Sequence, residues 1–408
     1  MSQLFYRLSL SFVLVAAAWL PGHAAAAAAS GQSTIHPTPH HLTPCPTPDQ
    51  TAETLAHSGQ LMDQSRYIDA IALLTPLTPH NCDPRIPLIL SGAYEGSGDL
   101  PKAEATLEDA HTTWPSDTAI ATSLARGYLA SGQTDKALQS LASFHIAPTT
   151  PPQELEEAAL VYLAGHRLDL AQTTADTANR RYPSLLSLLL LANVLQLQGR
   201  YKNVNAMLES KRSTYSSSSA FLITFAESEY DAMLYDRAHQ DLTQAVALTP
   251  NSYQAHFLLG NVLLAQNLPT QAAAEYRTAI TLAPNQPRTY YQLALIYRKT
   301  QDDATEQLLL TQALTVDDHY APAYAELGRI LVDQHQYAQA IDKLHLAIQS
   351  NPQTEQAYYL LSRAYASLGD HDKSVEMAKL YTKTRDANRK SSVDTHPGQL
   401  GASSSNPE

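Results

Sequence analysis

Cysteine is nearly missing from this 408-residue sequence. There are two, Cys45 and Cys82, and no CxxC pair. Charge is scarce as well: 16% of residues, with 39 acids against 27 bases and a formal charge of -12. An acidic chain this lightly charged is a poor candidate for a dedicated nucleic-acid binder. Also absent are a Gly-rich phosphate loop, G-x-S-x-G and H-E-x-x-H. The carboxylates do not sort into a catalytic pair by spacing. Beyond the first 29 residues no apolar run is long enough to span a bilayer. These absences predict a chain that is not an enzyme and takes no cofactor and no metal. With 44% hydrophobic residues, it can still bury a large core.

The N-terminus has its own grammar. Arg7 is the one charged side chain in the first 29 residues, followed by an apolar run over 8–20, then Pro21, Gly22, His23 and six alanines at 24–29. A short basic region, a short apolar core and small residues read as a secretory signal peptide, 1–29, cut within the alanines. An uncleaved anchor is the alternative. The expectation is export, to the periplasm or the cell exterior. Residues 30–50 read as an extended linker, because Pro37, Pro39, Pro44, Pro46 and Pro48 block helix and ladder alike. His36, His40, His41 and Cys45 lie in it at spacings that fit no closed tetrahedral metal site. In an exported chain Cys45 and Cys82 are the candidate disulfide, with a structural role.

The remainder is organised around 253–286. Leu259 and Gly260 stand midway along one amphipathic stretch. Ala272, Tyr276 and Ala279 share a face of the next, and Pro284 closes the unit. The spacing follows the helical period and predicts two helices packed as a hairpin, with Gly260 and Ala272 letting the backbones approach. The pattern returns about every 34 residues: Leu327, Gly328, Ala340, Leu344, Ala347 and Pro352 downstream, and Ala238, Leu242, Ala245 and Pro250 upstream. It resembles the tetratricopeptide repeats.

That resemblance implies an all-α fold, a right-handed superhelical solenoid of about ten antiparallel helix hairpins. An N-terminal array of about five repeats is expected over 51–218 and a C-terminal array over 219–388, with a disordered tail at 389–408. Several units depart from the pattern. The first opens on a polar helix around 54–62 that reads as a cap. The fifth has Val204 where alanine is expected and runs into serines at 216–219, which predicts the weakest joint. In the eighth, Glu306 occupies a small-residue position. The tenth ends in a helix carrying Lys373, Lys379 and Lys383.

In the family the first helix of each hairpin faces inward, so the resemblance implies a wall that binds a peptide or another protein. In the sixth repeat the wall carries Glu227, Tyr230 and Asp231. Its C-terminal part carries Asn261, Arg288, Tyr291, Arg298, Lys299, Arg329, Tyr359 and Arg363. Arginine forks take carboxylates bidentately and tyrosine adds flat apolar area, so the expected partner is a protein or peptide with an acidic segment. The family's Lys/Asn carboxylate clamp is not carried over: Asn261 fits one position, but Phe257 stands where its lysine belongs, and Pro322 and Glu326 replace later basic residues. Three readings result: a non-catalytic interaction scaffold of the cell envelope, a structural assembly subunit of an envelope or secretion complex, and a binder of polyanionic glycan.

Overall fold

The structure is a computed structural model that describes residues 47–80 and 83–395. Among the described residues there are 21 α-helices, one 3-10 turn at Thr75–His80 and no strand. Twenty of the helices come in pairs because the chain reverses at regular intervals, and the short helix Arg212–Tyr215 stands outside the pairing. Ten residues have left-handed backbone: Ser65, Gly98, Gly132, His166, Gly199, Met233, Asn267, Gln301, His335 and Gly369. They recur every 33 or 34 residues. At each, the next N–H reaches back five residues to a carbonyl in the preceding helix, as Arg66 does to Leu61, Leu268 to Leu263 and Asp370 to Tyr365. This helix ending satisfies carbonyls that would otherwise be orphaned and turns the chain sharply. Glycine takes the conformation freely at four of the ten sites, while six side chains tolerate it. The backbone rhythm is stricter than the side-chain pattern, and it counts ten hairpins, as the sequence predicts.

Local chemistry starts the helices where the turns leave off. Side chains of Asp99, Asp117, Ser218, Ser252 and Asp302 each accept from a backbone N–H three residues on. Pro152, Pro269 and Pro287 occupy first turns, where their missing N–H is harmless. The hairpin Tyr253–Ala265 with Pro269–Leu282 shows the packing in its clearest form. A Cβ on Gly260 would lie 2.6 Å from the Tyr276 ring, so glycine is what lets that buried ring reach the first helix. The ring then tilts against Phe257, with centroids 5.9 Å apart, and its hydroxyl donates to Asn261 Oδ1 at 2.7 Å. Gly328 makes the same room for Leu344, two repeats on.

The described residues fall into two compact units, one within 47–194 and one within 195–395. The boundary between the units lies inside the helix Leu185–Leu197. The second helix of the fifth hairpin, Tyr201–Glu209, spans nine residues where most others span fourteen. It is tied to the sixth hairpin: Ser228 Oγ donates to the Tyr201 carbonyl, and Gln196 Nε2 donates to the Thr224 carbonyl. Val204, out of pattern by sequence, is fully buried.

Both ends of the described chain are polar on their outer side. The first helix, Pro48–Asp63, starts three residues inside the stretch read as linker. Thr47 and Gln50 form a capping box, and one stripe of Thr51, Leu55, Ser58 and Leu61 is buried. The last helix, His371–Thr395, runs 25 residues and takes in 389–395, which the sequence reading assigned to a disordered tail. Serines in that stretch read as tail, but no glycine or proline intervenes before Pro397 to stop the helix. Asn388 Nδ2 also ties it back to the Gln353 carbonyl at 3.1 Å. Among the described residues no helix is long and apolar enough to cross a membrane. The signal peptide, the linker histidines and both Cys45 and Cys82 lie outside the described residues.

Candidate interaction face

On a helix, residues three or four apart share a face. Counting back from the left-handed turn residues, Arg126, Asn261, Arg329 and Arg363 all occupy the same register, six residues before the turn. Arg298 stands three before its own. Arg126 and Arg298 reach carboxylates on neighbouring first helices, whereas the contacts of Asn261 and Arg329 stay within their own helix or go to a second helix.

In the N-terminal unit the face is laced by one arginine. Arg126 takes both oxygens of Glu95 at 3.0 and 3.1 Å, and its Nε lies 3.2 Å from Glu157. These three residues come from three consecutive first helices. Burial pushes the Glu157 carboxyl above its ordinary range, against the pull of Arg126.

In the C-terminal unit the same logic absorbs two of the arginines expected to meet a ligand. Arg298 Nη1 donates to Glu326 at 2.8 Å. Arg329 donates to three carboxylates: Glu326 at 2.7 Å, Glu306 at 2.6 Å and Asp333 at 2.9 Å. The Glu306 and Glu326 side chains are buried, at 0% and 2% exposure. Glu306 therefore fills a small-residue position by reaching across to Arg329. Burial raises the Glu306 carboxyl, while hydrogen bonds from Arg329 and Gln356 overcome burial at Glu326 and hold it below the usual range. The expectation that Arg298 and Arg329 offer open forks is corrected here, since their forks are filled by the chain's own acids.

The other predicted residues divide similarly. Arg288 is buried in packing: its guanidinium lies over the Phe257 ring at 4.6 Å, and Nε donates to the Tyr253 hydroxyl at 2.9 Å. Asn261 is the acceptor for Tyr276, and Tyr291 meets Tyr320 edge-on at 5.8 Å. Lys299, Tyr359 and Arg363 are exposed. Arg363 lies over the Tyr359 ring at 5.9 Å. The structure thus brings Arg298 and Arg329 together through Glu326. It does not make Arg329 and Arg363 equivalent, although they stand one repeat apart.

A further polar knot closes the serine joint, and sequence reading missed it. Arg212 takes both oxygens of Asp241 at 2.7 and 2.9 Å and lies 4.5 Å over the Phe225 ring. Arg237 covers Phe225 as well, at 5.6 Å. Glu229, with a fully buried side chain, faces Arg237 Nε at 2.8 Å and Arg212 Nη2 at 3.5 Å, yet neither is aligned to donate. Gln244 Nε2 donates to the Ser216 carbonyl at 3.0 Å. The joint predicted to be weakest is tied by an arginine clamp. The sequence signal for such a knot is a glutamate among core positions, as at Glu306 and Glu229. Among the described residues the exposed trio Asp317, Asp318 and His319 is the one grouping close enough to hold a cation, and three exposed groups in a turn are ordinary without one.

The tetratricopeptide repeat family model matches residues 223–287 and 325–388. No curated protein matches the sequence. Among solved structures, the chain is similar to a tetratricopeptide repeat protein from Parabacteroides merdae at 18% identity and TM-score 0.49, over 61% of this chain and 99% of that one. It is similar to yeast Tom70 at 14% identity and TM-score 0.43, over 86% and 98%. YrrB, described as a tetratricopeptide repeat protein with an unusual peptide-binding site, aligns at 16% identity and TM-score 0.35, over 47% and 94%. The family matches fall on hairpins six to seven and nine to ten, so 223–287 and 325–388 carry tetratricopeptide repeats, and a left-handed turn recurs at the same 33–34-residue spacing through all the described hairpins.

Proposed function

We propose that this chain is an exported, non-catalytic protein–protein interaction scaffold of the cell envelope, holding a protein or peptide segment against the first-helix face of hairpins seven to ten. The observation that carries this reading is the lateral lacing of those helices. Tyr253 to Thr289, Arg298 to Glu326 and Gln356 to Glu326 join consecutive first helices side by side. A face fixed in this way is ordered before any partner arrives, so binding forfeits less conformational freedom. The polar outer sides of the first and last helices favour this face over end-on packing as a permanent assembly subunit.

Site-specific photocrosslinking tests the face. A crosslinker at Tyr291 or Tyr359 is expected to capture the partner in cells, and one at Leu308, exposed on a second helix, is not. Capture from 308 alone would overturn the assignment. Export has a separate test. N-terminal sequencing of the envelope fraction is expected to find a chain starting within 24–30. An intact Met1 confined to the cytoplasmic fraction would remove the envelope from the proposal.

A further inference from the structure

Arg363 and Arg329 stand one repeat apart at the same helical register, yet their surroundings are opposite. Each acid that fills Arg329 has a counterpart 34 residues on, and each counterpart has no charge: Glu306 becomes Ala340, Glu326 becomes Leu360 and Asp333 becomes Ser367. Arg363 makes no ion pair among the described residues and is exposed. Its guanidinium lies 5.9 Å over the Tyr359 ring. Tyr359 is 5.7 Å from Tyr381, and Arg385 lies 5.5 Å over Tyr381. The last hairpin thus presents an Arg–Tyr–Tyr–Arg ladder running from one helix to the other, with Tyr359 47% exposed. The helix supplying Tyr381 and Arg385 also concentrates base: six of the chain's 27 Lys and Arg residues stand on it.

We infer that the Arg363–Tyr359–Tyr381–Arg385 ladder is the binding site for a short acidic polypeptide segment. The inference rests on the scaffold reading and narrows it to one hairpin. Two arginine forks separated by aromatic area suit carboxylates spaced along a peptide, with side-chain stems packed on the rings. Arginine and tyrosine are the residues that dominate the energy of protein interfaces. A long polyanion fits less well, because it would extend from this patch over a chain whose formal charge is -12. Arg385 already has a weak exposed partner, Asp386 at 3.4 Å, which a better-placed carboxylate displaces.

The test uses the chain from residue 30 and a short fluorescein-labelled peptide of alternating glutamate and glycine, read by anisotropy at low salt. The expected result is saturable binding that weakens as salt rises. R363Q with R385Q should lower affinity about tenfold or more, and Y359A should lower it on its own. Both arginines are exposed, so unchanged circular dichroism is expected for the double variant. A K202Q variant, changed at an exposed position on the second helix of the fifth hairpin, should bind as the parent does. No binding of the probe by the parent, or equal binding by R363Q with R385Q, would overturn the site. Heparin binding tighter than the peptide, and lost in the same variant, would overturn the peptide as ligand. If the double variant still crosslinks its cellular partner through Tyr291, the ladder fails while the scaffold reading stands. If the parent crosslinks to nothing, the scaffold reading itself fails.

Discussion

Replacing Arg329 with alanine should destabilise the C-terminal unit by about 3–5 kcal/mol. The change strips Arg329 from Glu306 and Glu326, which are 0% and 2% exposed, and leaves two buried acids with Arg298 as their one remaining cation among the described residues. Arg298 can hold one oxygen of Glu326, but among the described residues no other group donates to Glu306, whose Oε2 already meets no donor. Urea unfolding followed by circular dichroism checks the figure, and a change below about 1 kcal/mol would mean that the knot is not what holds these hairpins. Arg363→Ala is the matched control: same register, no carboxylate partner among the described residues, and an expected effect within about 0.5 kcal/mol. A companion variant separates lost charge from lost shape. Glu306→Ala, which restores the small residue of the repeat pattern, should recover part of the Arg329→Ala loss by removing the stranded acid. For function the consequence is direct. A ligand-binding test built on Arg329 and Arg363 together reads unfolding from one residue and binding from the other.

The same contrast explains how much was legible in the sequence. Alanine, glycine and tyrosine spacing at 253–286 carried the hairpin, because close helix packing leaves few choices at Gly260, Ala272 and Tyr276, and those choices repeat. Which residues share one side of each first helix was legible too, since that comes from helical period. Its chemistry was not. Whether an arginine on that face is open depends on an acid 23 residues earlier on a different helix, as with Glu306 and Arg329, and no local spacing announces such a pair. The left-handed turns were only partly visible. Glycine marks four of them, but Met233 and Gln301 adopt the conformation because the hairpin requires a reversal there, not because the side chain favours it. The 216–219 serines predict slack for a related reason: the tie comes from Arg212 and its partner 29 residues away, which local polarity does not reveal.

That tie should make the serine joint sensitive to pH. Two arginines, Arg212 and Arg237, face three acids, Glu209, Glu229 and Asp241. One negative charge is left over, and it falls on the acid with no access to water. Burial, helped by the neighbouring Asp241 charge and opposed by Arg237 and Arg212, pushes the Glu229 carboxyl up to about 7. A carboxyl whose value is raised on folding favours the folded state at low pH, and this contribution is lost as pH climbs from the ordinary 4.5 through 7. Stability of the C-terminal unit should therefore fall by roughly 2 kcal/mol between pH 5 and 8 on account of this residue, allowing for solvent at the half-exposed Arg237. Glu229→Gln should remove that slope, leaving the variant more stable than the parent at pH 8 and close to it at pH 5. Glu306 is raised by burial as well, so the measurement is the difference in slope between the two proteins, taken from urea midpoints. Arg212→Ala should act in the opposite sense. It uncovers Asp241, 6% exposed, beside Glu229, costs about 3 kcal/mol at pH 8, and costs less at pH 5, where one of the two acids takes up a proton. Equal losses at both pH values would show that Arg212 holds the joint by packing on Phe225 and not by charge. A joint that tightens as its buried acid is protonated would make the stiffness of this scaffold a function of the pH around it.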